Sequence, residues 1–120
     1  MKNKYPFYFI VFVFSFSCSN VSEEDLIDVT PIPETVTYQE NVKSIIDNNC
    51  ISCHSNPPMN GAPISLTTFD EVKNAIENNG LLNRISSNDL AFSMPFGGPR
   101  LPQNLIDIIV EWEADGLLEN

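Results

Sequence analysis

Cys50-Ile51-Ser52-Cys53-His54 is a C-x-x-C-H sequence, the attachment pattern of a c-type haem. The spacing has a physical logic. Two thiols two residues apart on one turn of backbone reach the two vinyl groups of a haem and form thioethers. The adjacent His54 then aims its Nε2 at the iron. Other chemistries for the same residues fit less well. A zinc site needs a second pair of Cys or His ligands, and the chain has one His and three Cys, the third being Cys18. A redox C-x-x-C expects a βαβ setting. A plain Cys50–Cys53 disulfide is the remaining alternative for an oxidising compartment.

Moving toward the N-terminus, Thr37-Tyr38-Gln39-Glu40 has the capping-box pattern and predicts a helix start. Val42, Ile45 and Ile46 follow at helical spacing, so this helix runs straight into Cys50. On the other side, residues 55–63 are rich in Asn, Pro and Gly and read as a loop. Thr68-Phe69-Asp70-Glu71 is a second capping box. Val72, Ala75 and Ile76 form its apolar face, and Asn78-Asn79-Gly80 ends it. A third short helix fits between Leu81 and Leu90. Met94-Pro95-Phe96-Gly97-Gly98-Pro99 excludes regular structure. In the final helix Pro102 sits near the start, Leu105, Ile108, Ile109 and Trp112 mark one face, and Gly116 is the C-cap. No alternating strand pattern is present in this region. The expected class is all-α.

The first 17 residues read as an export signal. Lys2 and Lys4 precede an uncharged, largely aromatic and β-branched run from Phe7 to Phe16, too short to span a bilayer as a helix. Ser15-Phe16-Ser17-Cys18 looks like a bacterial lipobox, which makes Cys18 the expected lipidation site and the membrane anchor. Residues 18–36 carry Ser22-Glu23-Glu24-Asp25 and then Pro31 and Pro33, the composition of a flexible tether. The domain proper is expected over 37–120. At 120 residues there is room for one small domain. The formal net charge of −10 excludes a basic nucleic-acid footprint. Loss of Lys2 and Lys4 with the signal leaves four basic residues against 16 acidic ones, a net of −12. Such acidity suits a redox protein partner with a basic docking patch.

With C-x-x-C-H, Met94-Pro95 in a Gly/Pro loop, and a terminal helix holding Ile108, Ile109 and Trp112, the chain resembles class I cytochromes c, in particular the short single-haem domains of bacterial lipoproteins. The resemblance spans Tyr38 to Leu118. It implies three to four helices around one covalent haem c, with the first and last helices crossing; Val42 or Ile46 against Ile109 or Trp112 is the expected contact. It implies Met94 as the second axial ligand to iron beside His54, with Met59 as its rival. A thioether is a soft, neutral donor that favours ferrous iron. The resemblance also implies a proline carbonyl, here Pro63, on His54 Nδ1. Arg84 or Arg100 is expected beside the propionates, with Phe92, Phe96 and Trp112 as pocket walls. The implied function is electron transfer, on the periplasmic or outer-surface face of a bacterial membrane, without enzymatic activity. The alternative is a peroxidase-like haem enzyme or gas sensor with an open distal site.

Overall fold

Thr37 caps the first helical segment, accepting the Glu40 N–H on its hydroxyl at 3.4 Å. The reciprocal bond comes from Asn41, whose Oδ1 accepts the Thr37 N–H at 2.9 Å, and not from Glu40 as the capping-box pattern predicts. The opening turn, Tyr38–Val42, is π-helical: the Val42 N–H reaches back five residues to the Thr37 carbonyl at 3.3 Å. It continues without a break into α1 (Lys43–Asn49). The computed structural model describes residues 31–120; the expected signal segment, Cys18 and most of the tether lie outside that range. Val36 is already fully buried, so packing begins one residue before Thr37.

Three further helices follow: α2 (Phe69–Asn79), α3 (Leu81–Ser86) and α4 (Gln103–Ala114). The described residues contain helices, turns and loops and no strand, so the all-α expectation holds at the level of class. In α2 the capping box is complete, and Val72, Ala75 and Ile76 are buried as the spacing predicts. Gly80, at φ +66°, ends α2 and opens α3 in a left-handed conformation that suits glycine.

The terminal segments meet, and Val42, Ile46, Ile109 and Trp112, the residues expected there, all belong to one buried cluster that Tyr38 also joins. The π-turn packs against α4, and the contact is aromatic: the Tyr38 and Trp112 rings lie 5.7 Å apart, with Phe69 5.6 Å from Tyr38 and 6.2 Å from Trp112. Such pairs add about 0.5–1.5 kcal/mol beyond the area they bury. Burial pushes the Tyr38 phenol above its ordinary ionisation range. The deepest residues of α4 are Ile106, Ile109 and Trp112; Leu105 and Ile108, expected on the core face, are only partly buried at its edge.

α4 ends in a Schellman motif. The Leu117 N–H donates to the Trp112 carbonyl at 2.9 Å and the Gly116 N–H to the Glu113 carbonyl at 3.1 Å, with Gly116 at φ +91°. The tail then turns back onto the N-terminal segment. The Leu118 carbonyl accepts both the Tyr38 N–H, at 2.9 Å, and Trp112 Nε1–H, at 2.7 Å. The Glu119 carbonyl accepts the Gln39 N–H at 3.0 Å, and the Asp115 carboxylate accepts the Val36 N–H at 2.7 Å.

Candidate functional site

Cys50 caps α1, its N–H bonded to the Ile46 carbonyl at 2.8 Å. The Cys50 carbonyl then accepts two donors, the Cys53 N–H at 3.1 Å and the His54 N–H at 3.0 Å. This tight turn carries Cys50, Cys53 and His54 in sequence off the end of the helix. The loop that follows folds back onto the turn: the His54 carbonyl accepts the Leu66 N–H at 2.8 Å and the Cys53 carbonyl the Met59 N–H at 2.7 Å.

His54 Nδ1 lies 2.8 Å from the Ile64 carbonyl. Because a carbonyl only accepts, this contact puts the proton on Nδ1 and leaves the Nε2 lone pair free for a ligand. The acceptor is a backbone carbonyl as expected, but it is that of Ile64 and not that of Pro63. No side-chain pattern encodes a backbone carbonyl, so the sequence offered only the neighbourhood.

Cys50, Cys53, His54 and Met94 all line one cavity of about 770 Å³, within the range of about 300–1,000 Å³ typical of ligand sites. The cavity is walled by the 50–68 loop, by α2 and α3 through Ala75, Leu81 and Ile85, and by the loop before α4. Met94 is held by its own N–H, which donates to the Arg84 carbonyl at 3.1 Å. Met59 is 55% exposed and lies outside the cavity lining. Both cysteines are free thiols, with no disulfide between them. Burial pushes the Cys50 thiol up to about 11, the reverse of the lowered values of redox-active C-x-x-C thiols.

The two arginines separate. Arg84 lines the cavity; its guanidinium sits 4.6 Å from the Phe92 ring centroid and donates to the Phe92 carbonyl at 3.3 Å. Arg100 lies outside the lining and is spent on the Ser86 carbonyl and Gln103. Among the expected aromatic walls, Phe96 lines the cavity, whereas Phe92 does not and Trp112 belongs to the core.

Among the described residues no cluster of three or more His, Cys, Asp or Glu side chains is placed to hold a bare metal ion. The donor set instead suits an iron that brings its own equatorial nitrogens: a cavity of cofactor size, two thiols for thioethers, one imidazole with Nε2 free and one thioether sulfur. Compared with protein-family models, curated proteins and solved structures, the chain matches none.

Proposed function

We propose that this chain is a small c-type cytochrome that carries one electron on a haem attached through Cys50 and Cys53, with His54 and Met94 as axial ligands. The observation that carries the reading is the convergence of these four residues on one cavity although Met94 lies 40 residues after His54. When bound, the haem supplies a one-electron iron couple. Cys50 and Cys53 would hold the group covalently. The Ile64 carbonyl holds the His54 imidazole in one tautomer and orientation. Met94 would supply a neutral sulfur that favours the reduced metal, and iron held by both His54 and Met94 would suit a carrier better than an enzyme. Ala75, Leu81 and Ile85 give an apolar wall that limits water at the site. In this reading the protein is exported and lipid-anchored through Cys18, with the folded domain outside the cytoplasm.

The test is expression in a host that matures c-type cytochromes. The protein should retain one haem through acid–acetone extraction, and replacing Cys50 and Cys53 together with Ala should abolish covalent haem. Met94→Ala should lower the potential and open the reduced iron to carbon monoxide, while Met59→Ala changes neither. A colourless wild-type protein of apo mass sinks the proposal. Ready carbon monoxide binding by the wild type would move the reading to an open-site haem enzyme or sensor.

A further inference from the structure

Resting on the haem-carrier reading above, we propose that the mouth of the cavity is the docking surface for the redox partner, and that the partner meets it with an apolar, sparsely charged patch. The argument begins with where the charge is. The described residues hold twelve acidic and four basic side chains. Residues 48–69, which include the haem-binding turn and the loop after it, contain no Asp, Glu, Lys or Arg at all. The loop from 87 to 101 contains one of each sign, Asp89 and Arg100. Arg84 is the only Asp, Glu, Lys or Arg among the cavity-lining residues. Eleven of the twelve acids therefore lie on other segments, with Asp107, Glu111, Glu113 and Asp115 together on and just after α4.

The same two loops carry four of the seven exposed large apolar side chains among the described residues, the three most exposed included; the others are Ile32, Val110 and Leu118. Leu90 is 75% exposed, Phe96 74% and Met59 55%, with Phe92 also exposed. Each is at the cavity or beside it in sequence: Phe96 lines it, Leu90 and Phe92 flank the lining residue Ala91, and Met59 precedes the lining residue Asn60. Exposed apolar residues gathered at one place on a monomer mark an interaction site. A basic partner would gain nothing at this mouth and would be drawn to the acidic segments elsewhere. An apolar partner surface gains from covering Leu90, Phe96 and Met59 and meets one carboxylate in these loops, that of Asp89. The net charge of the chain is thus a misleading guide to its contact surface.

Protein-film voltammetry of the haem-loaded protein distinguishes these cases, using gold coated with methyl-terminated or ammonium-terminated alkanethiols as the apolar and basic probes. Electron exchange should be faster on the methyl surface by about tenfold and hold within about twofold as salt is raised, because screening acts on charges and the mouth has few. Leu90→Glu and Met59→Glu, both outside the cavity lining, should each cut exchange on the methyl surface by about tenfold, the loss expected when one large apolar contact is replaced by a charge. Glu113→Gln should leave it unchanged. Faster exchange on the ammonium surface, or wild-type exchange in both Glu variants, overturns the proposal. A pyridine haemochrome spectrum on the same sample separates the two levels. Haem-loaded protein that prefers the ammonium surface defeats the docking proposal alone, whereas haem-free protein defeats the carrier reading and this one with it.

Discussion

The π-turn, α4 and the C-terminal tail form a dense clasp, while the loops at 50–68 and 87–102 are spread around a cavity. In the clasp, Val36, Tyr38, Val42, Ile106, Ile109 and Trp112 are at most 2% exposed, and side chains meet side chains. Around the cavity, backbone bonds such as Leu66 to His54 and Met94 to Arg84 stand beside side-chain bonds such as His54 Nδ1 to the Ile64 carbonyl. The polypeptide alone completes the first region. The second has the shape of a holder, and in the proposed reading its apolar walls would pack against a haem. A small domain gains from such an internal brace.

The contrast can be broken most severely at Trp112. Trp112→Ala should cost about 3–5 kcal/mol of stability in urea unfolding, the range for emptying a fully buried aromatic site. A cost below about 1 kcal/mol would mean the clasp is not where the polypeptide's own stability resides. Asp115→Ala probes the same region more gently. It removes the charged acceptor of the Val36 N–H and should cost about 1.5–3 kcal/mol, with the haem spectrum untouched. A spectrum altered as much as the stability would show that clasp and cavity are one unit.

The smallest effect is expected at the start of α2, between the two regions. Thr68→Ala should cost about 1 kcal/mol, the usual value of an N-cap. Burial works to raise the pKa of its capping partner Glu71, but hydrogen bonds from Thr67 and Thr68 outweigh this and hold the carboxyl below the ordinary carboxylate range. Folding therefore favours the charged form. This stabilisation is complete at neutral pH and is lost as acidification passes below the ordinary Glu value of about 4.3. Glu71→Gln should flatten that part of the acid limb in a plot of stability against pH; an unchanged limb would show that the cap contributes nothing there.

Local patterns were the legible part of the fold. Val72, Ala75 and Ile76 could be assigned to a buried face because a 3.6-residue period says so directly, and Gly80 and Gly116 could be read as stops because their backbone conformations favour glycine. The C-x-x-C-H turn and Met94 could be singled out because their chemistry is in the side chains themselves. What escaped was set by tertiary context. The capping-box pattern assigns Tyr38 no core role, and the approach of Trp112 and Phe69 makes it core. The face of α4 was rotated toward Ile106, a choice between adjacent apolar residues that periodicity leaves open in a helix rich in Leu and Ile. The Ile64 carbonyl was invisible because every residue has one. Arg84 and Arg100 were equivalent in sequence, and their separation follows from the path of the 87–102 loop.

The clasp also decides where mechanical load goes. The segment entering the domain is tied at Val36, Tyr38 and Gln39 to Asp115, Leu118 and Glu119, so this segment and the C-terminal tail sit together at one pole. The cavity is lined only by residues between 49 and 101. A pull on the chain ahead of residue 31 is therefore borne first by hydrogen bonds to the C-terminal tail and by the seat of Trp112. The turn that carries Cys50, Cys53 and His54 hangs beyond that anchorage, so tension can work against the domain's point of attachment without first bending the geometry on which its chemistry depends.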